Sequence, residues 1–480
     1  MCITPTGPTA SARSSQIYRS TIVRRNPMHI VRSAGNLQLW AFALLIVAGA
    51  FTIVTYPRSV PPQLGSVQPG DQLQAAAQQS RGNKTEQMIW TLQERIRRRP
   101  THVESYALLG GAYLQRARET GDSSFYNQAD AVLDEALKRD PQHLEALLGK
   151  GALALARHEF REALALGEQA RQLHPDVPRV YGVIGDAQIE LGLYDAAVET
   201  IQTMVDLRPD LGSYSRVSYL RELHGDLPGA IEAMQQAIRA GGSTAENSQW
   251  VRVQLGNLYF NHGELGTAET HYAAALAGLP DYVPALAGLA RVRAAQQRYD
   301  EAIKLLNAAT QRVPLAEYVI ALGDVYARSG DKQQAEQQYE LVKAIDKLAA
   351  SNGVNTDLET ALFLADHDIE LQASLAKARA AYAARPSIHS ADVLAWTLFK
   401  TGDYAAAEQY AAEALRLGTQ DPLKLFHAGM IATARGHDEQ ARTYLLQALQ
   451  LNPHFSLLYQ DQAVSLLRKL GGTVPSVGSK

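Results

Sequence analysis

Cysteine is all but missing: among 480 residues the only one is Cys2. A lone thiol excludes a disulfide framework and any cysteine-built metal centre within one chain. A cysteine-free remainder suits either redox compartment. Basic clusters are missing from the body of the chain as well. The formal net charge is −3, and residues 1–36 hold five arginines (Arg13, Arg19, Arg24, Arg25, Arg32) and no acidic residue, which leaves 41 basic against 49 acidic residues in the rest. A mildly acidic body offers nucleic acid no electrostatic footprint. Catalytic signatures are missing too: no G-x-x-x-x-G-K-[ST] loop, no G-x-S-x-G elbow and no G-x-G-x-x-G run after a strand. His158-Glu159 opens like a zinc-protease helix, but Glu162 stands where the second histidine is required. Asp366-His367-Asp368 reads as a polar turn, and His224, His262 and His437 sit beside glycines as helix-end residues. The expectation is a non-enzyme with no catalytic residues, no metal, no cofactor, no small-molecule substrate and no nucleic acid partner.

What the chain has begins with Leu37 to Tyr56, twenty residues without a charge. A helix of that length spans roughly 30 Å, the thickness of a bilayer's hydrocarbon core. Trp40 and Tyr56 mark its ends, where aromatic rings favour the interface, and the upstream arginines predict a cytoplasmic amino terminus. The expected order is a basic cytoplasmic segment (1–36), a transmembrane signal anchor (37–56) and a Pro-, Gln- and Ser-rich flexible linker (57–83). Ala48-Gly49-Ala50 has the form a signal peptidase accepts, so cleavage after Ala50 to give a secreted binder is the competing expectation. Met28 is an alternative start.

Beyond the linker, small residues recur at Ala129, Ala163, Ala197, Ala230, Ala268, Ala302, Ala335, Ser374, Ala407 and Ala441, with spacings of 33 to 39 residues. Twelve before most of them lies another small residue, such as Gly151, Gly185, Gly256, Gly323 and Gly429. Twelve after many lies a proline, such as Pro141, Pro209, Pro280 and Pro453. Apolar residues four and seven places on, as in Ala197, Ile201 and Met204, define one face of a helix. Gly225-Asp226, Gly330-Asp331 and Gly402-Asp403 supply a left-handed helix stop followed by a cap. Each unit is two antiparallel helices that bury their apolar faces only by stacking on neighbours.

The pattern resembles the tetratricopeptide repeat family. Tyr106-x-x-Leu109-Gly110-x-x-Tyr113 followed by Ala129, Leu133, Ala136 and Pro141 carries the likeness, as do Leu255-Gly256-x-x-Tyr259 with Ala268, Tyr272 and Pro280. The resemblance implies an all-α, right-handed α-solenoid of about ten helix-turn-helix repeats over 84–453, a capping helix at 454–472 and a tail at 473–480. Extra residues near Arg118–Ser124, Gly241–Asn247 and Leu348–Asp357 are expected as loops, either decorations or joints, and the repeat after the last has Leu362 where a small residue belongs.

The resemblance also implies a concave groove lined by the first helix of each repeat, binding proteins or peptides. Its facing positions here are Asp186, Tyr219, Val253, Asn257, Arg291, Asp324, Asp392, Trp396 and Phe426. Tyr219 and Trp396 are the expected anchors, although Trp396 and Phe426 could equally fill space between helices. The clamp for a terminal carboxylate that some family members build is not expected, because Gly288 stands where a further asparagine is needed. The functional expectation is a single-pass cell-membrane protein whose extracytoplasmic array recruits partner proteins. The alternative is an accessory or regulatory subunit of a cell-envelope enzyme assembly.

Overall fold

The computed structural model describes residues 84–242 and 246–475. The expected segments 1–36, 37–56 and 57–83 lie outside the described residues, as do 476–480 and the middle of the expected loop at 241–247. Among the described residues no helix is long and apolar enough to cross a membrane, and all of them fall in one unit of the chain.

Helix α1 (Lys84–Arg98) leads, and ten antiparallel pairs follow among the described residues. They are α2 (Val103–Thr120) with α3 (Ser124–Arg139), α4 (Leu144–Ala156) with α5 (Phe160–Leu173), α6 (Pro178–Glu190) with α7 (Tyr194–Leu207), and α8 (Leu211–Leu223) with α9 (Leu227–Ala240). Next come α10 (Glu246–Asn261) with α11 (Leu265–Gly278), α12 (Val283–Ala295) with α13 (Tyr299–Arg312), and α14 (Ala316–Ser329) with α15 (Lys332–Ser351). The last three pairs are α16 (Asp357–Asp366) with α17 (Leu371–Ala384), α18 (Ile388–Lys400) with α19 (Tyr404–Ala414), and α20 (Pro422–Ala434) with α21 (Asp438–Leu451); α22 (Gln460–Lys469) is the last helix among the described residues.

Close approach of the paired axes explains the small residues. A Cβ on Gly185 would lie 2.8 Å from Ile201, and one on Gly323 would lie 2.5 Å from the Tyr339 ring. The second-helix markers from Ala129 to Ala441 are all buried. Where the marker is serine, its hydroxyl is satisfied inside: Ser374 Oγ donates to the Ala361 carbonyl at 2.7 Å. Leu133, Ile184, Leu223 and Leu445 fill the layers between pairs with almost no exposed surface, each worth roughly 1.5–3 kcal/mol relative to an exposed side chain.

The turn inside each repeat carries a left-handed residue just after the first helix. Glycine holds it in seven repeats, and His158 (φ 62°), Gln297 (φ 60°) and Asp368 (φ 55°) hold it in the other three. Asp226, Asp331 and Asp403 then accept hydrogen bonds from the backbone N–H of Gly229, Gln334 and Ala406, capping the second helices.

Two expected loops are shorter than expected, because helix takes up their first residues and leaves 121–123 and 352–356 outside helices. The extra residues near Arg118 extend α2 to Thr120, where α1 supports them: Thr85 donates to Glu119 at 2.6 Å and Arg116 pairs with Glu86. Those near Leu348 extend α15 to Ser351. The small residue missing at Leu362 is present one place earlier. Ala361 is fully buried, and the displaced residue reappears in the turn, where Glu370 adds a second positive φ of 43°.

The tips of early repeats touch the joints of late ones. Asn352 after α15 donates to Ser123 Oγ at 2.8 Å and accepts from Asn127 at 2.9 Å. His158 Nδ1 lies 2.6 Å from the Asn355 carbonyl oxygen. Gly192 fits so closely that a Cβ would sit 2.2 Å from the Pro386 carbonyl oxygen. Asn452 donates to the Phe260 carbonyl at 2.9 Å. At the centre of this seam Arg385, 3% exposed, bridges Glu359 at 2.9 Å and Glu190 at 3.4 Å.

Candidate partner-binding hollow

Four consecutive first helices, α10, α12, α14 and α16, line a hollow of about 900 Å³. Each turns one helical stripe toward it: Trp250, Gln254 and Asn257 on α10, Pro284, Ala287 and Arg291 on α12, Glu317, Ala321 and Asp324 on α14, and Glu359, Phe363 and Asp366 on α16. The end of α2 from Arg116 to Gly121 and His158 form part of the same wall. The volume lies at the upper end of the range of ligand clefts, roughly 300–1,000 Å³.

The wall is polar and held in place. Arg291 lies over the Phe260 ring at 4.2 Å and donates to Asn261 at 3.2 Å. Burial draws its guanidinium below the usual value, with Tyr272 and Glu317 opposing. Glu317 is lifted to about 7 by burial, while a hydrogen bond with Tyr318 and the Arg291 charge pull the other way. Asp324 accepts from Tyr339 at 2.9 Å and lies 2.9 Å from His367 Nε2. Burial alone would lower His367, but the Asp324 hydrogen bond and charge outweigh it and the imidazole is raised. Asn257 accepts from the Tyr272 hydroxyl at 2.8 Å. The Tyr272 ring also explains Gly288, where a Cβ would lie 2.4 Å from it. Among the described residues no group of three or more His, Cys, Asp or Glu side chains is placed to hold a metal ion.

The structure brings together Asn257, Arg291 and Asp324, with Val253 beside them, in this hollow. The other groove candidates lie elsewhere. Asp186 is tied to Arg216 on the next first helix by two bonds of 2.8 and 2.6 Å. Tyr219, an expected anchor, is 4% exposed with its hydroxyl 3.0 Å from His389 Nε2 in the seam. Trp396, the other, is 1% exposed. It stacks on His427 at 4.2 Å and donates its indole N–H to Asp366 at 2.8 Å. Phe426 is fully buried. Asp392 is buried between His427 and Lys424, at 3.1 and 3.5 Å, and the Lys424 charge together with the His427 contact holds it at about 2 against the opposing effect of burial. The cause is the chain's own carboxyl-terminal segment. Tyr459 packs 5.4 Å from Trp396 and 4.9 Å from Phe426, donates to Asp366 at 3.0 Å, and fills the inner face of these repeats.

Trp250, Gln254, Ala287, Glu317 and Ala321 were not expected at the site. They lie three to seven residues before the expected positions on the same helices, so the helical period from Asn257, Arg291 and Asp324 leads to them.

Family models described as tetratricopeptide repeat match residues 154–222 and 262–322 in one case, and 114–178 and 393–456 in the other. Such repeats are typically non-catalytic and generally mediate protein–protein interaction. The chain is 29% identical over 183 residues to intraflagellar transport protein 70A of Bos taurus, covering 37% of this chain and 27% of that protein. It is 28% identical over 222 residues to the protein CTR9 homolog of Arabidopsis thaliana, covering 44% of this chain and 20% of that protein. The chain therefore spans well under half the length of the curated relatives it matches. Among solved structures, a thermophilic TPR protein of Thermus thermophilus aligns with 21% identity and a TM-score of 0.34, over 42% of this chain and 99% of that one. The human IFIT1 dimer aligns with 14% identity and a TM-score of 0.44, over 77% of this chain and 87% of that one. Sequence and geometry thus agree on the unit: residues 114–222, 262–322 and 393–456 match tetratricopeptide repeats, and α2 to α21 stack as helix pairs.

Proposed function

We propose that this chain is a membrane-tethered scaffold that holds an extended segment of a partner protein in the hollow of α10, α12, α14 and α16. One observation carries the reading: successive first helices present equivalent stripes to a single open hollow, while the neighbouring repeats have theirs filled by Tyr459. A guest in extended conformation meets one stripe after another, and Gln254, whose amide oxygen accepts from Asn257, has an amide nitrogen that suits a main-chain carbonyl. The charge-free run 37–56 supports a tether that leaves the array outside the cytoplasm.

A photoactivatable crosslinker placed in turn at Gln254, Ala287 and Ala321 of the full chain tests the site. Adducts should fall at successive positions along one partner segment, and a probe at exposed Lys304 on α13 should give none of them. Equal labelling from Lys304, or no polypeptide adduct from the hollow, would overturn the reading. The tether has its own readout: the chain should resist alkaline extraction from membranes, and deleting 37–56 should release it. A mature protein beginning after Ala50 would show cleavage instead.

A further inference from the structure

Helix α1 has two unlike faces. Ile89, Leu92 and Ile96 pack on the core, with Leu92 4% exposed. Gln93 donates to the Tyr113 hydroxyl at 2.8 Å, which fixes the rotation of the helix. Around the rest of its circumference the helix is exposed: Met88, Thr91, Arg95 and Arg98 follow one stripe beside Leu92, and Trp90 and Arg97 share another farther round, while Lys84 at its start also lines the hollow. Trp90 is 58% exposed and Met88 44%, although both are large apolar side chains. Glu94 pairs with Arg97 and Arg98, and Glu86 with Arg116, whereas Lys84, Arg95 and Arg99 meet no described carboxylate within ion-pair distance.

We propose that this face of α1 rests on an anionic bilayer surface, the one in which residues 37–56 are embedded. The inference rests on the tether reading of the preceding subsection and adds to it where the array sits. Cations on flexible stems reach phosphate oxygens while their methylenes cover apolar surface. An indole suits the boundary between headgroups and acyl chains, with its N–H in the wet layer. A row of basic residues beside a membrane segment is drawn to acidic headgroups. Chain length strengthens the match. Only residues 57–83 separate Tyr56 from Lys84. Even fully extended at roughly 3.3–3.6 Å per residue they keep α1 within about 100 Å of the bilayer. A surface held that near needs little intrinsic affinity to dock.

The test uses the full chain reconstituted in bilayers whose acyl chains carry bromine, a short-range quencher of indole fluorescence. The bilayers are phosphatidylcholine with or without phosphatidylglycerol. Trp90→Phe isolates the signal of Trp90, and Trp40→Phe isolates that of the expected membrane segment. Quenching assigned to Trp40 should appear in both lipids. Quenching assigned to Trp90 should appear with phosphatidylglycerol, fall several-fold without it, and be lost in Arg95→Glu/Arg98→Glu, whose helicity stays unchanged. Trp40 quenched and Trp90 not would overturn the docking and leave the tether standing. Neither quenched would overturn both. Shielding of Trp90 that follows protein density in the bilayer but not bromine would assign the face to a second copy of the chain and overturn the proposal.

Discussion

The first helices of the fifth to eighth repeats and those of the ninth and tenth stand at equivalent places in the array, yet only the former face open space. On α10, α12 and α14 the inward stripe is amide, alanine and single charges, and nothing in the described chain fills the volume before it. On α18 and α20 the equivalent stripe carries Trp396 and Phe426, and the chain folds Phe455 and Tyr459 back over them. Two adjacent aromatic surfaces lose apolar area to each other more favourably than either does to water. The large side chains that make a groove position attractive to a partner therefore also make it attractive to the chain's own end.

The sharpest way to break this contrast is Trp396→Ala against Trp250→Ala. The first should cost about 4 kcal/mol, since it opens a cavity under Tyr459 and leaves half-buried Asp366 short of a donor. The second, on the open wall, should cost at most about 1 kcal/mol. Denaturant unfolding followed by circular dichroism measures both. Because α2 and α3 share no seam contact with the last repeats among the described residues, hydrogen exchange in Trp396→Ala should rise around α18 to α22 and stay low in α2 and α3. Equal costs for the two variants would show that the ninth and tenth repeats are no more closed than the others.

Arg385→Ala probes the seam that ties the late repeats to the early ones. It leaves buried Glu190 and half-buried Glu359 without their shared cation, a loss of about 3 kcal/mol. Burial already pushes Glu190 above the usual carboxyl range, whereas the Arg385 charge outweighs burial to keep Glu359 below it. A small cost would mean that packing at Gly192 and Pro386 holds the seam by itself.

Acid and base should also separate the two regions. Asp392 in the closed part is held at about 2 in the folded state against 3.8 for an ordinary side chain. Its contribution, about 2 kcal/mol, is present above the ordinary value and lost as pH falls toward 2. Glu317 in the hollow runs the other way. Its folded value of about 7 lies above the ordinary 4.5, so the folded state binds more protons and stability falls as pH rises between them. Glu317→Gln should therefore gain about 2 kcal/mol at pH 8 and nothing near pH 4; Asp392→Asn should flatten only the acid limb. Stability curves against pH for the two variants decide it, and parallel curves would erase the distinction.

The repeat itself was legible in the sequence, because small residues every 33 to 39 positions report a distance between helix axes that the chain must keep. The occupied groove was not. Whether Trp396 meets solvent depends on Tyr459, sixty-three residues away, and no local period encodes that meeting. The seam was hidden for the same reason: Gly192 reads as one more turn glycine until Pro386 is found against it. Asn257, Arg291 and Asp324 reached the hollow because their repeats lie where neither the seam nor the carboxyl-terminal segment covers the inner face. The expected loops at Arg118 and Leu348 came out shorter for a different reason. Extra length in a helical repeat can be taken up by another turn of helix wherever a neighbour, here α1 against α2, supports it.

The smallest effect expected tests the turns, which the two regions share. Gln297 occupies the left-handed position of its repeat at φ 60° with its side chain exposed, a conformation that glycine holds in seven sister turns. A side chain there costs roughly 1–2 kcal/mol of backbone strain, from which the greater freedom of glycine in the unfolded chain subtracts. Gln297→Gly should therefore stabilise the array by about 0.5–1 kcal/mol. His158→Gly at the same position of the second repeat should not. It removes the same strain, but it also removes the bond of 2.6 Å to the Asn355 carbonyl and the stacking on Phe160 that tie that turn into the seam. Denaturation midpoints that rise for the first variant and stay level or fall for the second would separate a turn that only reverses the chain from one that also joins distant repeats.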